Sequence, residues 1–374
     1  MSRDMIVFGE DWGGLPSSTQ HLLRHLSESR KVVWINSIGL RRPTLNRRDI
    51  GRAWRKLTAT RRAPGKSAGK PVNENFHILH PRTLPAPRHP LTRKIAGGLL
   101  AAQIRPLVQK AGLQSPIVWA SLPTAIDAAN RLDGSALVYY CGDDFSALAG
   151  VDHTTVAARE SELVEKADLI IAASETLSER FPPDKTHLLP HGVDYRLFAT
   201  PAPRADDLPN DGRPIAGFYG SLSEWLDLEL LQKTIAKLPD WHFVFIGKPV
   251  IETEPLSRFP NVRLLGERRH EQLPGYAQHW TASLLPFRDT PQIRACNPLK
   301  LREYLAAGRP VVSTSFAALK PYRHHIHTVT DAGSMAGALQ KSARQSLDIS
   351  RQEAVGDHTW SARAVQVEQW LEAL

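Results

Sequence analysis

The sequence predicts an α/β protein with two domains, each built on a doubly wound parallel sheet. Short apolar runs rich in β-branched residues alternate with longer amphipathic segments, which is the pattern of parallel strand–helix units. This alternation stops at a proline-rich stretch, residues 199–214, and then restarts. A chain of 374 residues is long enough to form two separate cores of ordinary size.

The first domain is predicted over residues 1–198, where apolar runs alternate with helical segments. The expected strands are Met5–Phe8, Lys31–Asn36, Phe76–His80, Pro116–Ala120, Ala136–Tyr140, Asp168–Ala173 and His187–Leu189. Helices are expected over residues 18–29, 92–111 and 153–166. Ser174 precedes a further short helix and is its predicted N-cap, because a serine side chain can accept a hydrogen bond from the first turn.

The second domain is predicted over residues 215–359, with residues 199–214 as the linker. The expected strands are residues 215–219, 242–246, 262–264, 282–285 and 310–313, and the expected helices are 226–238, 271–278 and 299–307. A C-terminal helix at about 360–374 is expected to pack back onto the first domain. Doubly wound sheets bind ligands at the carboxyl ends of their strands. We therefore expect two Rossmann-like domains that face each other across a ligand-binding cleft.

The charge of the chain predicts an anionic partner. The net charge is +9, and eleven of the Lys and Arg residues lie between Arg41 and Lys70, with Asp49 as the one acid in that segment. Trp54 and Leu57 lie among these cations, so the segment is interpreted either as a site for anionic lipid or as a solvated loop. Nucleic acid is a third kind of partner, but no nucleic-acid-binding motif accompanies the charge.

The compartment is inferred from cysteines and apolar runs. Cys141 and Cys296 are far apart and lack metal-ligand spacing, which favours a reducing compartment. The longest apolar run, residues 95–104, is about half of what a bilayer requires, and the first strand follows the N-terminus without a signal-peptide pattern. We expect a cytoplasmic protein, either free or peripheral on the inner face of the cell membrane.

The motif with the most specific chemistry is NPLKLREYLAAGRPVV, which begins at Asn297. It predicts a loop that enters a helix, with Pro298 in the first turn, where its missing N–H costs nothing. The free N–H groups of such a helix end bind phosphate, and Lys300 adds a full positive charge. Glu303 lies one turn further on, and its carboxylate can accept two ribose hydroxyls. The alternative is an ordinary helix–strand unit with a solvated Glu303.

This motif resembles the donor-binding helix of GT-B fold glycosyltransferases, particularly the family-four group and its teichuronic-acid and exopolysaccharide transferases. The matching positions are Glu303, Ala306, Gly308, Pro310 and Val311. The resemblance implies that Glu303 holds the ribose of a nucleotide sugar. It also implies a first glutamate at position 295, where this chain has Ala295. In the family that glutamate binds hydroxyls of the transferred sugar.

Further segments resemble the same family in the same order, including PHGVD at 190–194 and GFYGSLSEW from 217. The resemblance implies that glycine turns approach the donor phosphates, that cations replace a missing basic residue, and that the loop from Gly266 faces the base. The donor-binding residues so predicted are Gly220, Ser221, Lys248, Gly266, Glu267, Arg288, Arg294, Asn297, Pro298, Leu299, Lys300 and Glu303. Arg268 is a further candidate neighbour of the base.

Two positions of the first domain are predicted to serve the acceptor. Gly13 and Gly14 follow the first strand, where relatives place a loop near phosphate and acceptor, although a structural turn fits them equally. Asp143 and Asp144 follow a mid-domain strand, and an inverting transferase needs a carboxylate to deprotonate the attacking hydroxyl. One aspartate is expected to cap a short helix near Phe145 and the other to act as the base, with Asp144 preferred.

The predicted function is transfer of a hexosyl or uronosyl unit from a UDP- or GDP-linked sugar to a lipid-linked or polysaccharide acceptor. No cofactor or metal is expected, because helix dipoles and cations can stabilise the leaving diphosphate. One alternative is a nucleotide-sugar epimerase of the same fold. The other is an inactive scaffold that binds a nucleotide sugar, which is suggested by Ala295.

Overall fold

The computed structural model of the chain describes residues 3–14, 17–38, 71–83, 87, 89–148 and 151–374. The basic segment between Arg41 and Lys70 lies outside these residues. The chain divides into two compact units. The first unit comprises Met1–Pro190 with Arg363–Leu374, and the second comprises His191–Ala362.

The first unit contains, within the described residues, a sheet of seven parallel strands. The strands are β1 Met5–Phe8, β2 Val32–Ile35, β3 Phe76–Leu79, β4 Ile117–Ala120, β5 Ala136–Cys141, β6 Leu169–Ala172 and β7 Thr186–Leu188. Their order across the sheet is β3-β2-β1-β4-β5-β6-β7. Strands β1, β2, β4 and β6 are buried at every position, as in sheets with helices on both faces.

Helices and short 3₁₀ turns connect the strands of the first unit. They are α1 Ser18–Leu26, α2 Pro90–Ala111, α3 Ile126–Ala129, α4 His153–Lys166 and α5 Glu175–Ser178, with 3₁₀ turns at Pro123–Ala125 and Pro183–Lys185. Ser17 caps α1, and Ser174 accepts a hydrogen bond from the backbone N–H of Leu177. The predicted cap at Ser174 is therefore confirmed.

The second unit contains a parallel sheet of six described strands. They are β8 Ile215–Tyr219, β9 His242–Ile246, β10 Val262–Gly266, β11 Ala282–Leu285, β12 Val311–Thr314 and β13 Ile326–Val329. Their order is β10-β9-β8-β11-β12-β13. The central position of β8 places the turn that follows it, at Gly220, in the middle of the carboxyl edge of the sheet.

The helices of the second unit include the predicted donor helix. They are α6 Tyr195–Ala199, α7 Leu228–Lys237, α8 Glu254–Ser257, α9 Pro274–Ala277, α10 Pro291–Ala295, α11 Leu299–Ala306, α12 Ala332–Ser342 and α13 Ile349–Gly356, with 3₁₀ turns at His270–Gln272 and Ala317–Tyr322. The last helix, α14 Trp360–Glu372, begins in the second unit, and its residues from Arg363 belong to the first.

The boundary of the second unit precedes the proline-rich stretch. Phe198, on α6, is fully buried in the core of the second unit. Within residues 199–214, Asp207 accepts hydrogen bonds from Arg268 and Tyr276. Leu208 is buried in the core of the same unit, so this stretch packs on the second unit.

The C-terminal part of α14 contacts the first unit through charge and stacking. Arg30, almost completely buried, donates to both carboxylate oxygens of Glu368 at 2.8 to 3.2 Å. The rings of His187 and Trp370 stack at 4.6 Å between centroids.

Among the described residues, no helix is both long and apolar enough to cross a membrane.

Candidate donor and acceptor sites

Two glycine turns at the carboxyl edge of the second sheet fit tightly against each other. Gly220 and Gly247 have φ angles of +132° and +142°, which side-chain-bearing residues rarely adopt. A Cβ atom on Gly247 would lie 2.0 Å from the carbonyl oxygen of Gly220. Each turn is also bonded to the neighbouring strand, through Gly220 N–H to Ile246 and Gly247 N–H to Gly266. The two glycines therefore allow the turns to approach closely, and the backbone at this edge is firmly held.

Lys300 extends from the first turn of α11 over the Gly220 turn. Its Nζ lies 5.2 Å from the ring centroid of Phe218 and 5.6 Å from that of Phe287. A Cβ atom on Gly220 would lie 2.9 Å from this Nζ. Across the described part of the chain, Lys300 forms no hydrogen bond and no ion pair. Burial lowers the pKa of Lys300, and the negative charge of Glu303 opposes that shift.

The beginning of α11 differs from the expectation in one respect. Pro298 is the N-cap residue, with extended backbone angles, and does not lie in the first turn. No side chain caps this helix end. Asn297 is buried, and its side-chain oxygen accepts a hydrogen bond of 2.7 Å from Arg302, so this amide is engaged in holding the loop. Leu299 is the first helical residue.

Glu303 is held from two sides. Its Oε2 accepts a hydrogen bond of 2.6 Å from the Tyr219 hydroxyl, and its Oε1 lies 2.7 Å from His270 Nε2. Tyr219 is held in turn, since its backbone N–H donates to the Tyr304 hydroxyl. A carboxylate has about four acceptor positions. The two internal donors therefore fix the orientation of the Glu303 carboxylate.

His270 supplies positive charge to this buried carboxylate. Burial disfavours the charged imidazolium, but the hydrogen bond and charge of Glu303 outweigh it, and the pKa of His270 is raised above 6.5. The charges of Asp194 and Glu271 act in the same direction. The sequence reasoning did not name His270 or Tyr219. Tyr219 is the last residue of β8 and His270 lies four residues after β10, but nothing in their spacing to Glu303 indicates contact.

The other predicted donor-binding residues have varied surroundings. Lys248 and Arg288 are exposed at strand ends. Arg294 is exposed and paired with Asp289 at 2.6 Å, so its charge is already neutralised. Four cations were predicted to meet phosphate. Lys300 differs from the other three because it is partly buried, and within the described residues it has no anionic partner.

Three further predicted positions line loops near the same strand ends. Ser221 is half-buried in the turn after β8. Gly266 ends β10 with φ +70°, and Glu267 after it is exposed. Arg268 bonds to Tyr276 and Asp207 of its own unit, so its guanidinium has a structural role. Ala295, at the position of the missing glutamate, is buried at the end of α10.

In the first unit, the Gly13–Gly14 pair forms a turn before α1. Gly13 has φ +79°, and Gly14 N–H donates to the Asp11 carbonyl at 3.1 Å. Glu10 lies between β1 and this turn. Its carboxylate accepts a hydrogen bond of 2.8 Å from the Ser17 hydroxyl. Burial raises the pKa of Glu10. Glu10 was not among the predicted residues, although a carboxylate directly after a buried strand is a usable signal.

Asp144 holds a turn at residues 145–147, and the short helix expected near Phe145 is absent from the described residues. Its Oδ1 accepts from the backbone N–H and the hydroxyl of Ser146, and it pairs with Arg180 at 2.6 Å. Burial opposes ionisation, but these hydrogen bonds and the Arg180 charge outweigh it and lower the pKa of Asp144. This geometry does not favour Asp144 as the base, because its carboxylate already accepts hydrogen bonds from Ser146 and is paired with the charge of Arg180.

Asp143 has the opposite environment. Within the described residues its carboxylate accepts no hydrogen bond and has no cationic partner. It is accessible to solvent, yet the protein around it removes enough water to raise its pKa to about 7, and the negative charges of Glu10 and Asp144 add to this. A carboxyl group that titrates near neutrality can accept a proton efficiently at physiological pH.

Among the described residues, no group of three or more His, Cys, Asp or Glu side chains forms a metal site.

Comparison with known proteins finds similarity to glycosyltransferases. Residues 213–345 match the family model described as "Glycosyl transferases group 1". The chain is 26% identical over 229 residues to the putative teichuronic acid biosynthesis glycosyltransferase TuaH of Bacillus subtilis (strain 168). That match covers 55% of this chain and 58% of that protein.

Solved structures match the whole chain. Sucrose-phosphate synthase from Thermosynechococcus elongatus has a TM-score of 0.71 at 17% identity and covers 99% of this chain and 98% of its own. HepE from Anabaena, solved with UDP and glucose, has a TM-score of 0.69 at 14% identity and covers 100% of both chains. At these identities the likeness shows the fold.

The chain has the GT-B fold, which confirms the predicted fold class, and its sequence matches are to glycosyltransferases, as the resemblance implied. Within that class, its second unit matches the group 1 glycosyl transferases over residues 213–345.

Proposed function

We propose that the chain transfers a hexosyl or uronosyl unit from a nucleoside-diphosphate sugar to a lipid-linked or polysaccharide acceptor in bacterial surface polysaccharide synthesis. The observation that supports this best is Lys300, an unpaired cation above the Gly220 turn, one helical turn before Glu303. A diphosphate supplies the missing anion, and the ribose of the same nucleotide supplies hydroxyls for Glu303. HepE was solved with UDP and UDP-glucose, and a trehalose-6-phosphate enzyme from E. coli with UDP-2-fluoro glucose, which favours a UDP-linked donor.

The leaving group is stabilised by protein charges in this proposal. As the bond between the sugar C1 and the diphosphate oxygen breaks, negative charge grows on the diphosphate. Lys300 and the uncapped N-terminus of α11 meet that charge. The proposal therefore includes no metal and no cofactor, and the activity should persist in EDTA.

Asp143 is the proposed general base. It takes the proton of the acceptor hydroxyl while the hydroxyl oxygen forms its bond to C1, and the nucleoside diphosphate leaves. Loss of surrounding water keeps the pKa of the Asp143 carboxyl raised, and the negative charges of Glu10 and Asp144 add to this. Direct attack of this kind inverts the anomeric configuration.

The acceptor and location are part of the proposal as well. A lipid-linked acceptor places the enzyme at the inner face of the cell membrane, as a cytoplasmic or peripheral protein. The basic segment between Arg41 and Lys70 is proposed to attract anionic lipid, since cations near such a surface are favourable. Nucleic acid is not a proposed partner.

Calorimetric titration with UDP and GDP tests the donor site. Lys300→Met removes the ammonium but keeps an apolar side chain beside Phe218, and Lys237→Met is the matched control at an exposed position at the end of α7. We expect Lys300→Met to weaken diphosphate binding about tenfold or more, since charge-assisted contacts contribute ~1.5–3 kcal/mol. Lys237→Met should bind like the wild type. Equal affinity in all three proteins would remove Lys300 from the donor site.

Incubation with radiolabelled nucleotide sugars and a membrane extract tests the reaction. Label in the lipid or polysaccharide fraction supports the transferase. Release of an epimerised nucleotide sugar would indicate the epimerase, and binding without turnover would indicate the inactive scaffold suggested by Ala295.

A further inference from the structure

A series of polar contacts in the first unit leads from the interior of strand β5 to the turn that follows this strand. The Tyr139 hydroxyl, fully buried on β5, donates to Glu160 on α4 at 2.6 Å. The other carboxylate oxygen of Glu160 lies 3.4 Å from Arg180 Nη2, and Nη1 of the same guanidinium lies 2.6 Å from Asp144. Arg180 therefore joins the turn after β5 to helix α4.

Arg180 is itself held in place. It lies two residues after α5, where its backbone N–H donates to the Leu177 carbonyl at 3.1 Å. Its guanidinium lies 6.0 Å from the ring centroid of Phe181, and the Phe181 and Tyr139 rings meet edge to face at 5.7 Å. A planar guanidinium can bridge two carboxylates, whereas the ammonium of a lysine acts as a point charge. The position and the residue type therefore both suit a bridge.

Asp143 directly precedes the aspartate that this bridge holds. Its backbone carbonyl accepts a contact of 3.4 Å from the Cys141 thiol, and Asp144 is bonded to Ser146 and Arg180. The backbone is thus fixed on both sides of the Asp143 carboxyl. Burial raises the pKa values of Tyr140 and Cys141, so both are uncharged near neutrality. The titratable groups that face Asp143 are Glu10 from the loop after β1, Tyr140 and Cys141 from β5, and Asp144.

We propose that Arg180 is a positioning residue for the transfer reaction, because it ties Asp144 to α4 and so fixes the place and the electrostatic surroundings of the Asp143 carboxyl. This inference rests on the proposed role of Asp143 as the general base. Arg180 acts through Asp144, whose negative charge it offsets. A nearby cation favours the ionised form of a carboxyl group, so Arg180 opposes the effect of Glu10 and Asp144 on Asp143.

Direct titration of the Asp143 carboxyl tests this role without a substrate. Aspartate labelled with ¹³C at the side-chain carboxyl gives one NMR signal per residue, and the signal lost in Asp143→Asn identifies Asp143. Its midpoint should lie at about 7 in the wild type. Arg180→Met removes the cation, so the midpoint should rise by about half a pH unit or more. Arg180→Lys keeps the charge and should titrate like the wild type.

Lys166→Met is the matched control, because it breaks an ion pair with Glu162 further along α4. It should leave the Asp143 midpoint and the transfer rate unchanged. Circular dichroism and the thermal midpoint establish that the variants fold. Calorimetry with UDP should give the same affinity in all of them, since the bridge lies in the first unit.

The rate of transfer from radiolabelled nucleotide sugars to a membrane extract is the second readout. Arg180→Met should lower this rate about tenfold or more, since a misplaced catalytic group loses rate steeply. Arg180→Lys should recover the pH profile but only part of the rate, because an ammonium does not bridge Asp144 and Glu160.

A folded Arg180→Met protein with the wild-type midpoint and transfer rate would overturn the inference. Should Arg180→Met not fold, the wild-type transfer rate in Arg180→Lys would exclude the bridging role. Transfer at the wild-type rate by Asp143→Asn would show that the base is assigned wrongly, and the inference would fail with it. An inactive Asp143→Asn beside an unaffected Arg180→Met would remove the role of Arg180 alone.

Discussion

Glu303 in the second unit and Asp143 in the first are both carboxyl groups at proposed sites, and their surroundings differ in every respect. Glu303 receives hydrogen bonds from Tyr219 and His270, and one of these donors is cationic below its raised pKa. Asp143 receives none in the described structure and has Glu10 and Asp144 as negatively charged neighbours. The first arrangement fixes an ionised acceptor of hydrogen bonds. The second favours uptake of a proton. The neighbours therefore decide which carboxyl binds and which reacts.

The largest effect is expected at Asp143. Asp143→Asn keeps the shape and removes the proton acceptor, so kcat should fall by ~10²–10⁴ while UDP affinity stays nearly unchanged. In the wild type, kcat/KM should rise with pH through about 7, as Asp143 loses its proton. Steady-state kinetics and calorimetry measure the two quantities.

The stability of Asp143→Asn distinguishes a lost base from a lost fold. An acid whose pKa is raised in the folded state lowers stability as the pH rises from its unfolded value of 3.8 toward 7. The Asn variant should therefore be at least as stable as the wild type at pH 8. Asp144→Asn, which removes one anionic partner of Arg180, should instead lower stability and affect kcat less. Near-normal kcat in Asp143→Asn would mean that the base lies elsewhere or that the reaction is retaining.

The next effect is expected at Glu303. Glu303→Ala removes the proposed acceptor of the ribose hydroxyls, and UDP affinity should fall by ~1.5–3 kcal/mol, roughly ten- to hundredfold. Glu271→Ala is the control, because Glu271 is an exposed carboxylate beside the same histidine. Unchanged UDP affinity in a folded Glu303→Ala protein would contradict the proposed role.

The smallest effect is expected from the charge of His270. Because its pKa is raised in the folded state, protonated His270 contributes stability fully below pH 6.5, and this contribution is lost as the pH rises through the raised value. His270→Gln keeps a donor without the charge. The wild type should exceed this variant in unfolding free energy by about 1 kcal/mol at low pH, with the difference vanishing at high pH. A difference that does not depend on pH would assign His270 a packing role.

The strands were predictable because parallel sheets need continuous apolar runs, as at Met5–Phe8 and Ile215–Tyr219. Strand β13 and helices α12 and α13 were not predicted. In β13, two polar residues lie between the apolar ends Ile326 and Val329, so no continuous apolar run marks this strand. The predicted helix at 271–278 is a 3₁₀ turn followed by a short helix that begins at Pro274, because proline cannot continue a helix from the preceding turn.

The candidate site was predictable only where its residues lie close together in the sequence. Lys300 and Glu303 lie in one motif, so their shared helix face follows from the sequence. The Glu303–His270 contact joins residues 33 positions apart, and no local pattern indicates it. The sequence also presents Asp143 and Asp144 as equivalent neighbours. The structure distinguishes them, because Arg180 and Ser146 both bond to Asp144 and, among the described residues, neither bonds to Asp143.

The unpaired ammonium of Lys300 also affects how the protein should behave without substrate. A partly buried cation that lacks an anion weakens the folded state, and burial already lowers its pKa. A nucleoside diphosphate that binds there would raise the thermal midpoint, and the increase would grow with the logarithm of the ratio of its concentration to its dissociation constant. The cellular nucleotide pool would then act as a folding aid for this enzyme. Purification in the presence of UDP should accordingly increase the yield of folded protein.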